Sequence, residues 1–244
     1  MIRLLTAAVV AAGTLAFSGA HPGCMSSSTA QVRQPSSDFQ NRPQPRRDDR
    51  RPSPANNASR RDFTYYVLSL SWSRGFCADS RNSSRSQCAR ALGFVVHGLW
   101  PQYERGFPSD CATRTADPSF RDMETVKDVF PDTGLARYEW RKHGTCTGLA
   151  PAEYFRTVRA AYDRVTIPDV LTKPGVQRTL TVQQIKQAFS RANPGLLSNM
   201  TAVQCDRGIL QEVRVCLEKN LRSFRRCGDD VRDRCSFGPV TLVP

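Results

Sequence analysis

Residues 137–146, RYEWRKHGTC, place an acid, a cation and an imidazole at the spacing of one helical face. Glu139, Lys142 and His143 occupy positions i, i+3 and i+4, which lie side by side on an α-helix. Their side chains could therefore contact one bound group, and Gly144 could end the helix directly after them. A solvated charged face with an ordinary salt pair is the alternative interpretation when this segment is taken alone.

Two histidines are available for chemistry in the part of the chain with globular character. Of the three in the sequence, His21 lies in a polar N-terminal stretch, whereas His97 follows the apolar residues GFVV and His143 belongs to the segment above. An imidazole has a pKa of about 6.5, so one such group can be neutral while another is charged. For either histidine alone, the alternative is a structural residue in the core whose hydrogen bonds are satisfied.

Two imidazoles, an ammonium and a carboxyl group suit cleavage of RNA by its own 2′-hydroxyl. One imidazole removes the hydroxyl proton, the other protonates the leaving 5′-oxygen, and the cation stabilises charge on the phosphoryl oxygens. Because the substrate supplies the nucleophile, this chemistry needs no activated serine or cysteine. The set therefore predicts catalysis without a metal or cofactor.

The positive charge of the chain agrees with a polyanionic partner. The 244 residues carry a formal charge of +13, of which residues 62–244 contribute +7. A basic surplus favours polyanions such as RNA, although surface solubility explains such a surplus equally well.

The N-terminal quarter predicts export followed by a tether. Arg3, the apolar run LLTAAVVAAGTLAF and the small residues SGA are typical of a signal peptide over residues 1–20, cleaved after Ala20 or after Ser18. The run is too short for a transmembrane span. Residues 21–61, rich in Pro, Ser and Arg, are predicted to be a disordered tether. A periplasmic or secreted protein is expected, and a lipid anchor at Cys24 is the less favoured alternative.

Eight of the nine cysteines fall in the predicted folded domain, residues 62–244. In an exported chain an even number of cysteines predicts disulfides, and eight allow four, with many pairings open. A zinc site is the alternative, but no CxxC spacing is present. The eight are Cys77, Cys88, Cys111, Cys146, Cys205, Cys216, Cys227 and Cys235.

Hydrophobic periodicity predicts a mixture of strands and helices without βαβ alternation. This order favours an α+β fold around an antiparallel sheet. The predicted strands are 63–72, 93–100, 200–205 and 209–217, and the predicted helices are 118–130, a segment that includes 138–143, 150–165 and 181–195.

Two stretches resemble the active-site signatures of the ribonuclease T2 family, FVVHGLWPQ at 94–102 and YEWRKHGTC at 138–146, in the family's order. The resemblance extends from about Phe63 to the C-terminus. It implies a disulfide-stapled α+β fold with a central antiparallel sheet flanked by helices. It also implies a monomeric endoribonuclease that cleaves single-stranded RNA without a metal, through a 2′,3′-cyclic phosphate to 3′-phosphate ends.

The same resemblance implies a role for each matching residue. His143 is the base and His97 the acid, and Lys142 and Glu139 act on the phosphoryl group. Trp100 lines the substrate site, where its ring could stack on a base, with a plain core tryptophan as the alternative. The implied disulfides are Cys111–Cys146, Cys77–Cys88, Cys216–Cys227 and Cys205–Cys235.

The chain departs from the family at two positions near the signatures. Many relatives carry a histidine where this chain has Tyr138, and some fungal relatives have an aspartate at the position of Gln102. A subsidiary phosphate contact and the base preference therefore stay open.

Two other functions compete with a ribonuclease. One is an inactive RNA-binding or signalling protein on the same scaffold, which is expected to have lost at least one of the four chemical side chains. The other is a secreted cysteine hydrolase, which needs a free thiol that eight paired cysteines would not leave.

Overall fold

The computed structural model describes residues 62–90, 92–172, 177–235 and 238–244. The predicted signal peptide and tether, with His21 and Cys24, lie outside these residues. No helix within the described ranges has both the length and the apolar character needed to cross a membrane.

A single sheet organises the described residues. β1 lies between β2 and β5 and pairs antiparallel with both, and β4 pairs antiparallel with β5 on its other side. β6 joins β5 at one parallel position and carries β3 antiparallel. The strands are β1 (Tyr65–Trp72), β2 (Phe94–Gln102), β3 (Arg178–Leu180), β4 (Thr201–Asp206), β5 (Ile209–Glu218) and β6 (Val240–Leu242).

Helices pack against the sheet and connect its strands. The α-helices are α1 (Ser73–Cys77), α2 (Phe120–Met123), α3 (Thr133–Lys142), α4 (Pro151–Asp163), α5 (Asp169–Thr172) and α6 (Val182–Ala192). Short 3₁₀ turns lie at Ser80–Asn82, Ser86–Ala89, Glu124–Val126, Gly144–Thr147 and Ser198–Met200. The α+β class predicted from the sequence is confirmed.

A β-bulge in β2 displaces His97 from the regular pairing with β1. Ser69 lies opposite Gly98. The next residue, Leu70, lies opposite Val96, which leaves His97 as the extra residue on β2. Bulges bend a strand and redirect a side chain, and they occur often beside active sites.

The helix predicted over 118–130 is wrong in its length. α2 covers only Phe120–Met123, and a 3₁₀ turn follows at Glu124–Val126. Beyond that turn the backbone bonds to β2 instead: the Val129 carbonyl accepts a hydrogen bond of 2.8 Å from the Val96 N–H beside the bulge. The segment therefore supports the bulge rather than extending a helix.

The core lies between α4 and the sheet. The apolar face of α4 is fully buried, and burial of each large apolar side chain contributes about 1.5–3 kcal/mol. The Tyr154 hydroxyl, on that face, donates a hydrogen bond of 3.0 Å to the Leu99 carbonyl of β2. This contact holds the strand that carries His97 against the helix. The buried α4 residues are Tyr154, Phe155, Val158 and Ala161.

Four disulfides staple the fold, and they are the pairs that the family resemblance implies. Cys111–Cys146 ties the loop after β2 to the end of α3. In the same region the Asp110 N–H donates a hydrogen bond of 2.7 Å to the Lys142 carbonyl. The others are Cys77–Cys88, Cys205–Cys235 and Cys216–Cys227.

We predict that removal of Cys111–Cys146 by paired serine substitutions impairs the RNA cleavage expected from the sequence more than removal of Cys77–Cys88. The loop-entropy cost of losing the first bridge, with a sequence separation of 35 residues, is about 4 kcal/mol. The second, with a separation of 11, costs about 3 kcal/mol. Denaturant unfolding measures stability, and kcat/KM measures the site. Equal activities in the two folded variants would contradict a positioning role for the first bridge.

Candidate active site

The side chains predicted to act together line one cavity of about 290 Å³. All five residues singled out for catalysis or substrate contact belong to it, although they come from β2 and from the end of α3. Three further residues complete the wall. The lining comprises His97, Trp100, Gln102, Phe107, Tyr138, Glu139, Lys142 and His143.

Glu139 is the buried centre of this arrangement. Its side chain is only 1% exposed. Carboxylate Oε2 accepts a hydrogen bond of 2.6 Å from Trp100 Nε1–H, and Oε1 lies 3.5 Å from His97 Nε2. Burial raises the pKa of Glu139, although the charges of His97 and Lys142 and the hydrogen bond from Trp100 oppose that rise. A carboxyl group in this setting takes up a proton more readily than an exposed one.

Gly98 makes room for that carboxyl group. A Cβ on Gly98 would lie 2.2 Å from Glu139 Oε2 and 2.4 Å from Trp100 Nε1, which are forbidden contacts. The glycine between the histidine and the tryptophan of β2 is therefore needed for the close approach of α3 to the strand.

Lys142 extends along the outer wall of the cavity. Its Nζ donates a hydrogen bond of 3.0 Å to the Tyr138 hydroxyl, one helical turn earlier. The hydrogen bond to Tyr138 raises the pKa of Lys142, so the ammonium stays charged throughout the neutral range. Tyr138, which stands where many relatives carry a histidine, thus orients the cation.

His143 follows the last residue of α3. Its N–H completes a helical hydrogen bond of 2.9 Å to the Glu139 carbonyl. The helix ends directly before Gly144, as the sequence predicts, with His143 as its cap. The left-handed residue, however, is Gly148, with φ of 74°, one 3₁₀ turn later. Gly144 is required for packing, because a Cβ there would lie 2.4 Å from the Trp140 ring.

The environment of His143 favours its neutral form. Burial lowers the pKa of this imidazole to about 3, with help from the charges of Lys142 and His97. The charge of Asp110 opposes the shift without reversing it. At neutral pH the imidazole can therefore accept a proton.

The environment of His97 favours its charged form. Burial lowers the pKa of this imidazole and the charge of Arg214 does the same. The hydrogen bond to Glu212 and the charges of Glu212 and Glu139 outweigh both, so the pKa is raised above its ordinary value. The two imidazoles of the cavity are thus pushed toward opposite protonation states.

The ring of Trp100 packs against two imidazoles and a guanidinium group. Its ring centroid lies 5.3 Å from that of His97 and 5.4 Å from that of His143. The Arg214 guanidinium carbon lies 4.9 Å from the ring centroid. Trp100 therefore lines the cavity, and it also brings the two imidazoles to a shared wall.

Sequence reasoning missed two charged residues beside His97, Glu212 and Arg214. Glu212 accepts from His97 and from Arg214. Their signal was present, because two opposite charges at i and i+2 lie within a largely apolar strand and share one face. The exposed ring of Phe107, 5.9 Å from His143 between centroids, was also missed.

A metal site has no obvious place among the described residues. No group of three or more His, Cys, Asp or Glu side chains there is arranged to hold a metal ion.

Comparison with known proteins identifies the family. Residues 63–227 match the model of the ribonuclease T2 family. The chain belongs to the ribonuclease T2 family. The match includes both signatures and every residue that lines the cavity, so the resemblance seen in the sequence is confirmed.

Individual relatives of the T2 family agree with this assignment. A ribonuclease of Aeromonas hydrophila is 34% identical over 177 residues, covering 71% of this chain and 80% of its own. Ribonuclease DdI of Dictyostelium discoideum is 27% identical over 185 residues, covering 69% and 79%. The structure of ribonuclease MC1 from bitter gourd seeds has a TM-score of 0.60 at 20% identity, covers 75% of this chain and 100% of that chain, and shows the same fold.

We predict that Gly98→Ala lowers kcat/KM by about 100-fold, because a displacement of about 1 Å in a preorganised site costs that much. The added methyl group must push Glu139 and Trp100 aside. Gly93→Ala, just before the same strand, is the matched control, because its Cβ would make an ordinary 3.8 Å contact with Trp72. If both folded variants retained full activity, the close packing of Glu139 on the strand would be irrelevant to catalysis.

Proposed function

We propose that this protein cleaves single-stranded RNA by metal-independent transphosphorylation, giving a 2′,3′-cyclic phosphate and then a 3′-phosphate. Membership of the ribonuclease T2 family makes it an endoribonuclease of that type. The finer mechanism rests on one observation, the cavity lined by two imidazoles in opposite electrostatic settings, with an ammonium and a buried carboxyl group beside them.

The pKa shifts support His143 as the base and His97 as the acid. A neutral His143 takes the proton of the 2′-hydroxyl while the 2′-oxygen forms a bond to phosphorus. A charged His97 gives a proton to the 5′-oxygen as the bond from phosphorus to that oxygen breaks. In the slower hydrolysis of the cyclic phosphate, water takes the place of the 5′-hydroxyl and the two roles are exchanged.

Lys142 and Glu139 are proposed to act on the phosphoryl group. Lys142 brings a fixed positive charge toward oxygens that become more negative in the transition state. An ionised carboxylate would repel the phosphate, but the raised pKa of Glu139 favours a carboxyl group that shares its proton with a phosphoryl oxygen. Trp100 supports this role by fixing the other carboxyl oxygen.

Two exposed aromatic rings at the cavity are proposed to receive the bases of the substrate. Phe107 is 53% exposed and Tyr138 is 50% exposed, and both line the cavity. Unpaired bases of single-stranded RNA stack on such rings. Trp100, whose ring already contacts Arg214 and two imidazoles, is better suited to form the wall.

We further propose export of a monomer with a signal peptide over 1–20, a tether over 21–61 and the ribonuclease domain over 62–244. Four disulfides in the described part of the chain agree with an oxidising compartment, the periplasm or the medium. A lipid anchor at Cys24 remains the alternative to a free N-terminus.

The acid–base assignment predicts that His97→Ala and His143→Ala each lower kcat by about 10²–10⁴-fold. His21→Ala, outside the proposed domain, is the matched control and keeps full activity. Cleavage of a mixed RNA is followed with EDTA present, and the 3′ ends are identified. Loss of activity in EDTA, or activity that survives His97→Ala, would overturn the mechanism. A wild-type protein that binds RNA in a salt-sensitive way without products would be the inactive binding protein instead.

The opposite pKa shifts predict a broad pH profile of kcat/KM for a dinucleotide substrate. Activity should fall at low pH only as His143 becomes protonated, near pH 3, far below the ordinary imidazole range. It should fall at high pH as His97 loses its proton, above the ordinary imidazole pKa. An acidic limb near the ordinary imidazole pKa would contradict the assignment of His143 as the base.

A further inference from the structure

We infer that Glu212, held in turn by Arg214, is a positioning residue that orients His97 and keeps its imidazole protonated for acid catalysis. This inference rests on the proposed role of His97 as the acid. Neither residue belongs to the two signature segments, and neither lines the cavity that holds the catalytic side chains.

The two oxygens of Glu212 divide between its two partners. Oε1 lies 2.5 Å from His97 Nδ1. Oε2 accepts from Arg214 at both Nε, 3.0 Å away, and Nη2, 2.9 Å away. The Glu212 side chain is only 13% exposed, whereas that of His97 is 34% exposed. The charge that faces His97 is therefore well shielded from solvent, and its position is fixed from both sides.

The sheet explains how residues on two separate strands meet. β1 lies between β2 and β5, and two of its residues on this face, Ser69 and Ser71, are small. Ser71 lies opposite Glu212, and Ser69 lies opposite Arg214 on one side and Gly98 on the other. Long side chains from the outer strands can therefore reach each other over the serines. The bulge at His97 also directs its imidazole toward Glu212.

Several charged groups face His97, and among them Glu212 is the carboxylate that stays ionised. Burial raises the pKa of Glu212, but the hydrogen bond and charge of His97, together with Arg214, outweigh burial and lower the pKa to about 2. The pKa of Glu139 is raised instead. The titratable or charged groups around His97 are Glu212 and Arg214 on β5, Tyr138, Glu139 and Lys142 on α3, His143 just after it, and Arg85 and Asp132 in the wall of a second cavity that His97 and Glu212 share.

The contact between His97 and Glu212 also determines which nitrogen of the imidazole carries the transferable proton. With Nδ1–H donated to Glu212, Nε2 of His97 faces Glu139 and the cavity. In the cleavage step the Nε2–H bond breaks and an O–H bond forms on the leaving 5′-oxygen. The imidazole is left neutral with Nδ1–H still bonded to Glu212, so neither its tautomer nor its orientation changes during the step.

The test is the pH dependence of Glu212→Gln, which removes the charge and keeps the shape. The pKa of His97 should fall, and the alkaline limb of kcat/KM should move by about one pH unit or more toward acid. On the acid side of that limb, activity should approach that of the wild type. NMR titration of the imidazole in the free protein reports the same pKa without catalysis. Glu218→Gln, on the same strand, is the matched control and should leave both readouts unchanged.

Arg214→Met provides an independent test of opposite sign. Arg214 opposes protonation of His97, so its loss should raise the pKa of His97 and move the alkaline limb toward higher pH. This variant keeps the test decisive if Glu212→Gln does not fold. A purely structural contact would not produce two shifts of opposite direction.

The outcomes separate this inference from the proposed function. If His97→Ala is inactive while Glu212→Gln and Arg214→Met titrate like the wild type, Glu212 is not a positioning residue and the ribonuclease mechanism stands. If His97→Ala retains activity, the mechanism itself is wrong.

Discussion

The structure of the site depends on one buried carboxyl group that joins a helix to a strand. Glu139 of α3 lies directly on the backbone of Gly98 and accepts the indole N–H of Trp100. It also faces the imidazole of His97. Because a buried carboxyl group without partners is costly, these contacts require the helix and the strand to keep one separation and one orientation. The short distance between the two signature segments follows from this requirement, and so does the position of His143 at the end of the helix.

A single cavity holds two imidazoles whose chemistry differs because their neighbours differ. His143 is buried beside Lys142, and its neutral form is favoured. His97 is displaced by a bulge toward Glu212, and its charged form is favoured. Pairs of titratable groups pushed in opposite directions are the usual basis for one acid and one base in the same site. The bulge in β2 and the charged side chains beside each imidazole produce this difference.

The sequence predicted best what depends on local spacing. Glu139, Lys142 and His143 share one helical face, so their convergence followed from the period of the helix. The packing role of Gly144 was not predicted, because it depends in part on the Tyr154 ring of α4, which would lie 3.1 Å from a Cβ at this position. Contacts of that kind leave little trace in a single sequence. The pairing of Glu212 with His97 was missed for the same reason, since it requires the order of strands in the sheet. The short strands β3 and β6, of three residues each, are too brief for a periodic signal.

The negative charges of Glu139 and Glu212 are reduced in two different ways, and this affects the binding of a polyanion. A phosphate that enters a cavity with one ionised carboxylate in its wall and a second one beside it would be repelled. Glu212 avoids this conflict because Arg214 and His97 occupy both of its oxygens, so its charge is locally balanced. Glu139 avoids it differently, since burial favours protonation of its carboxyl group. A surplus of +7 over residues 62–244 favours the attraction of polyanions at long range.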